Sequence, residues 1–108
     1  MEGIFVQRVE DEPFHNIRDG TKKMEIRLND EKRRGIKLGQ QIKLINKDSE
    51  SHFLFAKVIG LSGFANFEDL YSILGDRIKS YEREVLERVY LNEKVRKYGI
   101  LVIHFELI

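Results

Sequence analysis

Hydrophobic and polar positions change period several times along the chain, and each change marks an element. Phe5, Val6 and Val9 predict a strand over Ile4 to Val9. Asp11-Glu12-Pro13 predicts a helix start, because proline fits the first turn and acids suit the N-terminal dipole. Phe14 and Ile17, three apart, give that helix a short apolar stripe, and Gly20 stops it. The segment that follows alternates strictly. Met24, Ile26 and Leu28 take one parity, while Lys23, Glu25 and Arg27 take the other. Successive side chains of a strand point to opposite faces, so this strand has one greasy face and one cation–anion–cation row.

Asn29 to Gly35 predicts a capped single helical turn closed by glycine. Ile36 to Gly39 leads into a strand from Gln41 to Asn46, with Ile42 and Leu44 on one face. Lys47 to Ser51 is a polar hairpin turn, and His52 to Leu61 is a long strand. Asn66 predicts a cap for a helix beginning at Phe67, with Asp69 at the third position returning toward it. Ser80 to Lys97 has helical period: Tyr81, Val85 and Val89 form one row, Leu86 and Tyr90 the next. Tyr98-Gly99 ends that helix, and the apolar run from Ile100 to Ile108 closes the chain as a fifth strand. Five strands interrupted by helices, without regular βαβ alternation, predict an α+β domain on a mixed sheet or small barrel.

The length of 108 residues suits one domain over residues 1–108. Hydrophobic residues at 42% against 34% charged describe a globular chain with a heavily charged surface. The chain has no cysteine, which removes disulfides, thiolate metal sites, cysteine nucleophiles and iron–sulfur ligands. The first residues show neither a basic segment nor an apolar core of a signal peptide, and no run is long enough to span a membrane. A cytoplasmic monomer without cofactor is the expectation. The net charge of +1 is small, but its distribution is uneven. Arg18 to Arg34 holds seven basic and four acidic residues, whereas Phe64 to Glu93 holds four basic and seven acidic. On charge alone, two differently solvated faces are the preferred account over a focused anion site.

Phosphate-cradling glycine loops are absent, and Gly60-Leu61-Ser62-Gly63 lacks the spacing of a nucleophile elbow. His15, His52 and His104 have no metal-ligand rhythm, so no metal is expected. His104-Phe105-Glu106 matches half of a zinc deaminase signature whose other half needs cysteines. Phe53, Phe55, Phe64 and Phe67 have the chemistry to stack bases, although alternating aromatics in a strand are the pattern of a core.

The charged row is the main chemical candidate. Thr21 and Lys22 follow the helix stop and sit on a loop rim, where ligands are met. Lys22, Lys23 and Arg27 supply three cations able to hold a phosphate or polarise a carbonyl, with Glu25 between them to orient Arg27 or accept from a ligand. Lys22 has the parity of Met24 and joins the row only if the strand begins after it. A solvated strand face with cross-strand ion pairs is the structural alternative.

Gly20, Lys22, Glu25 and Arg27 form G-x-K-x-x-E-x-R, which resembles the motif of the ASCH domain family. The segment from Ile36 to Asn46 is similar to the family's strand entry, although Gln40 stands where an aspartate is usual. The likeness continues in Asn66 to Leu70 and in the closing strand from Tyr98, covering nearly the whole chain. It implies a PUA-like mixed barrel of five or six strands flanked by helices. It further implies a cleft lined by Gly20, Thr21, Lys22, Lys23, Glu25 and Arg27 that takes RNA, a nucleotide or a modified nucleoside. One enzymatic subgroup hydrolyses the amide of N4-acetylcytidine with a lysine, a threonine and a glutamate. Lys22 matches the lysine, Glu25 stands where the threonine belongs, and Glu68 is the best candidate for the third residue. That leaves an amidohydrolase or a ribonuclease as the alternative to a binding module.

Overall fold

The computed structural model describes residues 3–90 and 92–108, and at Tyr81 the backbone alone. Five strands are joined in one mixed sheet: β1 (Phe5–Val9), β2 (Met24–Leu28), β3 (Gln41–Asn46), β4 (Phe53–Phe64) and β5 (Ile100–Leu107). Their order is β1-β3-β4-β5-β2, with β1 parallel to β3 and β3 antiparallel to β4. The described helices are α1 (Asp11–Arg18), the single turn α2 (Glu31–Arg34), α3 (Phe67–Leu74), α4 (Ser80–Val89) and α5 (Asn92–Tyr98). This is the α+β class expected, and it is consistent with a PUA-like fold.

The chain divides into two compact units, which β2, β4 and β5 enter in turn. One comprises Met1–Glu25, Ile36–Leu61 and Ile103–Ile108. Its core is built on register. Ile42 and Leu44 of β3 lie opposite Ala56 and Leu54 of β4, and Phe5 and Gln7 of β1 face the same two β3 residues. Side chains directly opposite in a ladder share a face, so one parity of all three strands points together toward α1, whose Phe14 and Ile17 are fully buried. Asn46 ends that inner row. Buried among apolar groups it needs partners, and it has them: its amide donates to Asp11 Oδ1 at 2.9 Å, and its oxygen accepts from the Asp48 N–H at 2.9 Å.

The opposite parity of these strands faces water. Phe53 and Phe55 were expected in the core as alternating aromatics, yet they are 44% and 38% exposed. The reason is pairing. Once Ile42 and Leu44 point inward, their partners Ala56 and Leu54 must point inward too, which turns Phe53 and Phe55 out. Phe67, from the same group of four, is buried, and Phe64 is half-buried.

The second unit comprises Ile26–Gly35 and Ser62–Val102. Asn66 caps α3 by accepting from the Asp69 N–H at 2.8 Å, and Asp30 caps α2 by accepting from the Arg33 N–H while pairing with its guanidinium at 2.9 Å. Arg83 ties α4 to the end of α3: it donates to the Gly75 carbonyl at 3.1 Å and lies 4.5 Å over the ring of Tyr71. Burial and the charge of Glu87 raise the Tyr71 hydroxyl above its ordinary value. The single helix expected from Ser80 to Lys97 is two helices. Backbone at Tyr90 is extended (φ −103°, ψ 107°), which ends α4, and α5 opens at Asn92, a residue favoured at helix starts over interiors. The row assigned to one continuous stripe is not sealed either, since Val85 and Val89 are exposed. Leu91 lies outside the described residues, as does the side chain of Tyr81. Gly99 closes α5 at φ 75°, a conformation side chains rarely adopt, and its carbonyl accepts from the Asn29 N–H at 3.0 Å.

Candidate functional site

The loop between α1 and β2 is locked from within. Gly20 has φ 88°, and no atom lies within 4 Å of where a Cβ would stand, so conformation rather than space requires the glycine. That turn folds the next two residues back onto the helix end, where the N–H groups of Thr21 and Lys22 both donate to the Asn16 carbonyl at 3.0 Å. The Thr21 hydroxyl donates within the same loop, lying 2.8 Å from Asp19 Oδ1 and 3.2 Å from the Asn16 carbonyl. Thr21 therefore stiffens the rim. Lys23 is exposed, and its carbonyl accepts from the Phe105 N–H at 3.1 Å, joining the start of β2 to β5.

The strand begins at Met24, so strand parity does not extend back to Lys22. The turn instead carries the ammonium over the strand, 3.6 Å from Glu25 Oε1. Glu25 is 6% exposed, and the Lys22 side chain is also largely covered, at 18%. A solvated strand face is thus not what the structure shows at Glu25. Burying a carboxylate is costly unless a cation and hydrogen bonds answer it, and Lys22 is one cation within reach. Arg27 follows two residues later at the same strand parity and is half-buried, and it belongs to the second unit.

Glu68 belongs to the other unit, exposed in the first turn of α3. Lys22 and Glu25 are together in the first. A cavity of about 400 Å³ in the second unit, lined by Leu28, Asp30, Val89 and Tyr98 among others, contains none of the residues expected from the sequence. Among the described residues no three His, Asp or Glu side chains are grouped to hold a metal, and no helix is long and apolar enough to cross a membrane.

One further residue gains a role that the sequence hid. Gln40, standing where the family pattern has an acid, accepts from the Lys37 N–H and donates to the Gly3 carbonyl, both at 3.0 Å. An aspartate could make the first bond and not the second. The substitution thus ties the start of the chain to the turn before β3.

Two solved structures resemble the chain along its length. The crystal structure of hypothetical protein PH0355 is 31% identical, with a TM-score of 0.81, 98% of this chain and all of that one being covered. The solution structure of protein PF0455 from Pyrococcus furiosus is 26% identical, with a TM-score of 0.71 and 98% of each chain covered. The ASCH crystal structure from Zymomonas mobilis shares the fold at 19% identity, with a TM-score of 0.54, over 94% of this chain and 68% of that one. No curated protein matches. The ASCH domain profile matches residues 8–108, and the chain belongs to the ASCH domain family.

Proposed function

We propose that this protein binds RNA, or a nucleotide or modified nucleoside, through Lys22, Glu25 and Arg27, with Gly20, Thr21 and Lys23 forming the rim. The observation that carries this reading is the buried Glu25 carboxylate paired with a largely covered Lys22 at the head of β2. Such a pair adds little stability compared with apolar side chains of the same volume, so its presence at the motif positions favours a use in recognition. Lys22 and Arg27 supply donors for phosphate or carbonyl oxygens, Arg27 with the planar fork that suits phosphate. Glu25 accepts from exocyclic amino groups, as carboxylates do with cytosine. The locked loop lowers the ordering cost of binding, because Thr21 and Lys22 are already held by Asn16 and Asp19.

The same pair is the starting point of the enzymatic alternative, an amidohydrolase on acylated nucleosides such as N4-acetylcytidine, or a ribonuclease, with Lys22 as base and Glu25 or Glu68 assisting. That chemistry calls for a threonine where Glu25 stands, and Glu68 is exposed on α3 in the other unit. Binding is therefore the reading favoured.

Amide NMR titration with cytidine, N4-acetylcytidine and a short single-stranded RNA tests both. Shifts concentrated at residues 20–28, lost in Arg27→Ala while the fold persists, are the expected result. Free acetate or cleaved RNA accumulating over hours, and abolished in Lys22→Ala, would replace the binding reading with the enzymatic one. Spectra unmoved by all three ligands would overturn both.

A further inference from the structure

We propose that the outward face of β1, β3 and β4 is a second binding surface, a platform on which single-stranded nucleic acid stacks its bases against Phe53 and Phe55. It uses none of the residues of the Lys22–Glu25 site and stands independently of the function assigned there. The ladder defines it. Val6, Lys43 and Phe55 are direct neighbours across the three strands, and Arg8, Ile45 and Phe53 form the next row. Phe53 and Phe55 project to one side two residues apart, with ring centroids 5.7 Å from each other and planes at 79°. The two rings are adjacent and stand in water, whereas scattered single apolar side chains are the ordinary condition of a protein surface.

Charge decides what covers them. Lys43 places its ammonium 4.4 Å from the centre of the Phe53 ring, and Lys57 is exposed two positions along β4 from Phe55. Among the described residues, the outward positions of these three strands carry no Asp or Glu. The acid nearest in sequence to this end of β4, Glu50 in the hairpin turn, is held by Arg8 at 2.7 Å. Rings interleaved with cations on β3 and β4, with the exposed Glu106 on the neighbouring β5, match a polyanion that offers flat faces, which is the chemistry of a single strand. A duplex keeps its base faces stacked inside. A second copy of this chain would set this patch, with the cations Lys43 and Lys57, against an identical patch carrying the same cations. A base approaching Phe53 displaces the Lys43 ammonium from the ring, and the freed cation then lies beside the phosphate that arrives with the base.

The test is fluorescence anisotropy with an end-labelled oligouridylate of about twelve residues, enough to span a small single-strand site. Wild-type protein is expected to bind with an affinity that falls as salt rises, and Lys43→Ala/Lys57→Ala to flatten that dependence. Phe53→Thr/Phe55→Thr should weaken binding by about tenfold or more, because each base–ring contact is lost and strand propensity is kept. Phe53→Tyr/Phe55→Tyr should bind as wild type, and Phe53→Leu/Phe55→Leu as weakly as the threonine pair. Absence of wild-type binding overturns the proposal, as does unchanged binding in the threonine or leucine pairs. A dimer in sedimentation that the threonine pair dissociates overturns it as well, by making a second copy the occupant. Cytidine-induced shifts at residues 20–28, followed in the same variants, keep the fate of the other site separate.

Discussion

In β2 the charged side chain Glu25 is sealed away from water, while in β4 the bulky apolar side chains Phe53 and Phe55 stand in it. Both strands alternate, and both belong to one sheet. The difference lies in their neighbours. β4 is placed by β3, whose Ile42 and Leu44 fix which parity of the pair faces α1. β2 is preceded by a locked loop that lays Lys22 over its first residues, so its polar row has a local lid. Alternation defines two faces of a strand, and only partners decide which face is covered.

The largest effect expected is at the inward row. Leu44→Ala should cost about 3 kcal/mol in urea unfolding, as truncation of a fully buried leucine does. Phe55→Thr, the removal of a larger apolar side chain one strand away, should change stability by no more than about 0.5 kcal/mol. Equal losses at the two positions would break the comparison, because Phe55 would then be part of a core.

Glu25→Ala sharpens it from the other side. Removing the carboxylate leaves the largely covered Lys22 without that partner, at a cost of about 2 kcal/mol. A charged residue would thus matter more to the fold than either outward phenylalanine. Adding Lys22→Met to Glu25→Ala should recover part of the loss, a coupling that a double-mutant cycle reads directly. Gly20→Ala should cost about 1 kcal/mol, since a side chain is strained at φ 88° though nothing crowds it. On the proposed function, that variant also loosens Lys22 and is expected to lower affinity for a nucleoside.

Elements whose signal is local were legible in the sequence. Asn66 with Asp69, Pro13 near the start of α1, and the apolar parity of Gln41 to Asn46 each predicted structure that is present. The Gly20, Lys22, Glu25 and Arg27 motif led to the family that the profile match shows. Burial was not legible in the same way. Phe53 and Phe55 had the pattern of a core, and only the register with β3 turns them out. Glu25 had the pattern of a surface, yet it is buried, and the turn at Gly20 brings Lys22 back to pair with it. Val85 and Val89 repeat at helical spacing, yet spacing carries no information about whether a partner is opposite. Gln40 gave no warning, because the carbonyl of Gly3 that it meets lies 37 residues back in the chain.

The smallest effect concerns the one polar residue on the inward row of β3. Asn46 is as buried as the leucine two positions before it, and its amide donates to Asp11 at the start of α1. That hydrogen bond is the leading reason the Asp11 carboxyl lies below its ordinary value of 3.8, with the charges of His15 and Arg18 adding to it against some desolvation. A carboxylate depressed by folding contributes stability that is present above the unfolded value and is lost as pH falls through the folded one. Acidification below 3.8 should therefore weaken the contact between α1 and β3, while nothing changes between neutral pH and that point on account of this group. Asp11→Asn keeps an acceptor for the Asn46 amide and removes the titration. Urea midpoints followed down the pH scale should show a shallower acid slope in that variant than in wild type. An identical slope would mean that Asn46 holds its place on the inward row without help from the charge on Asp11.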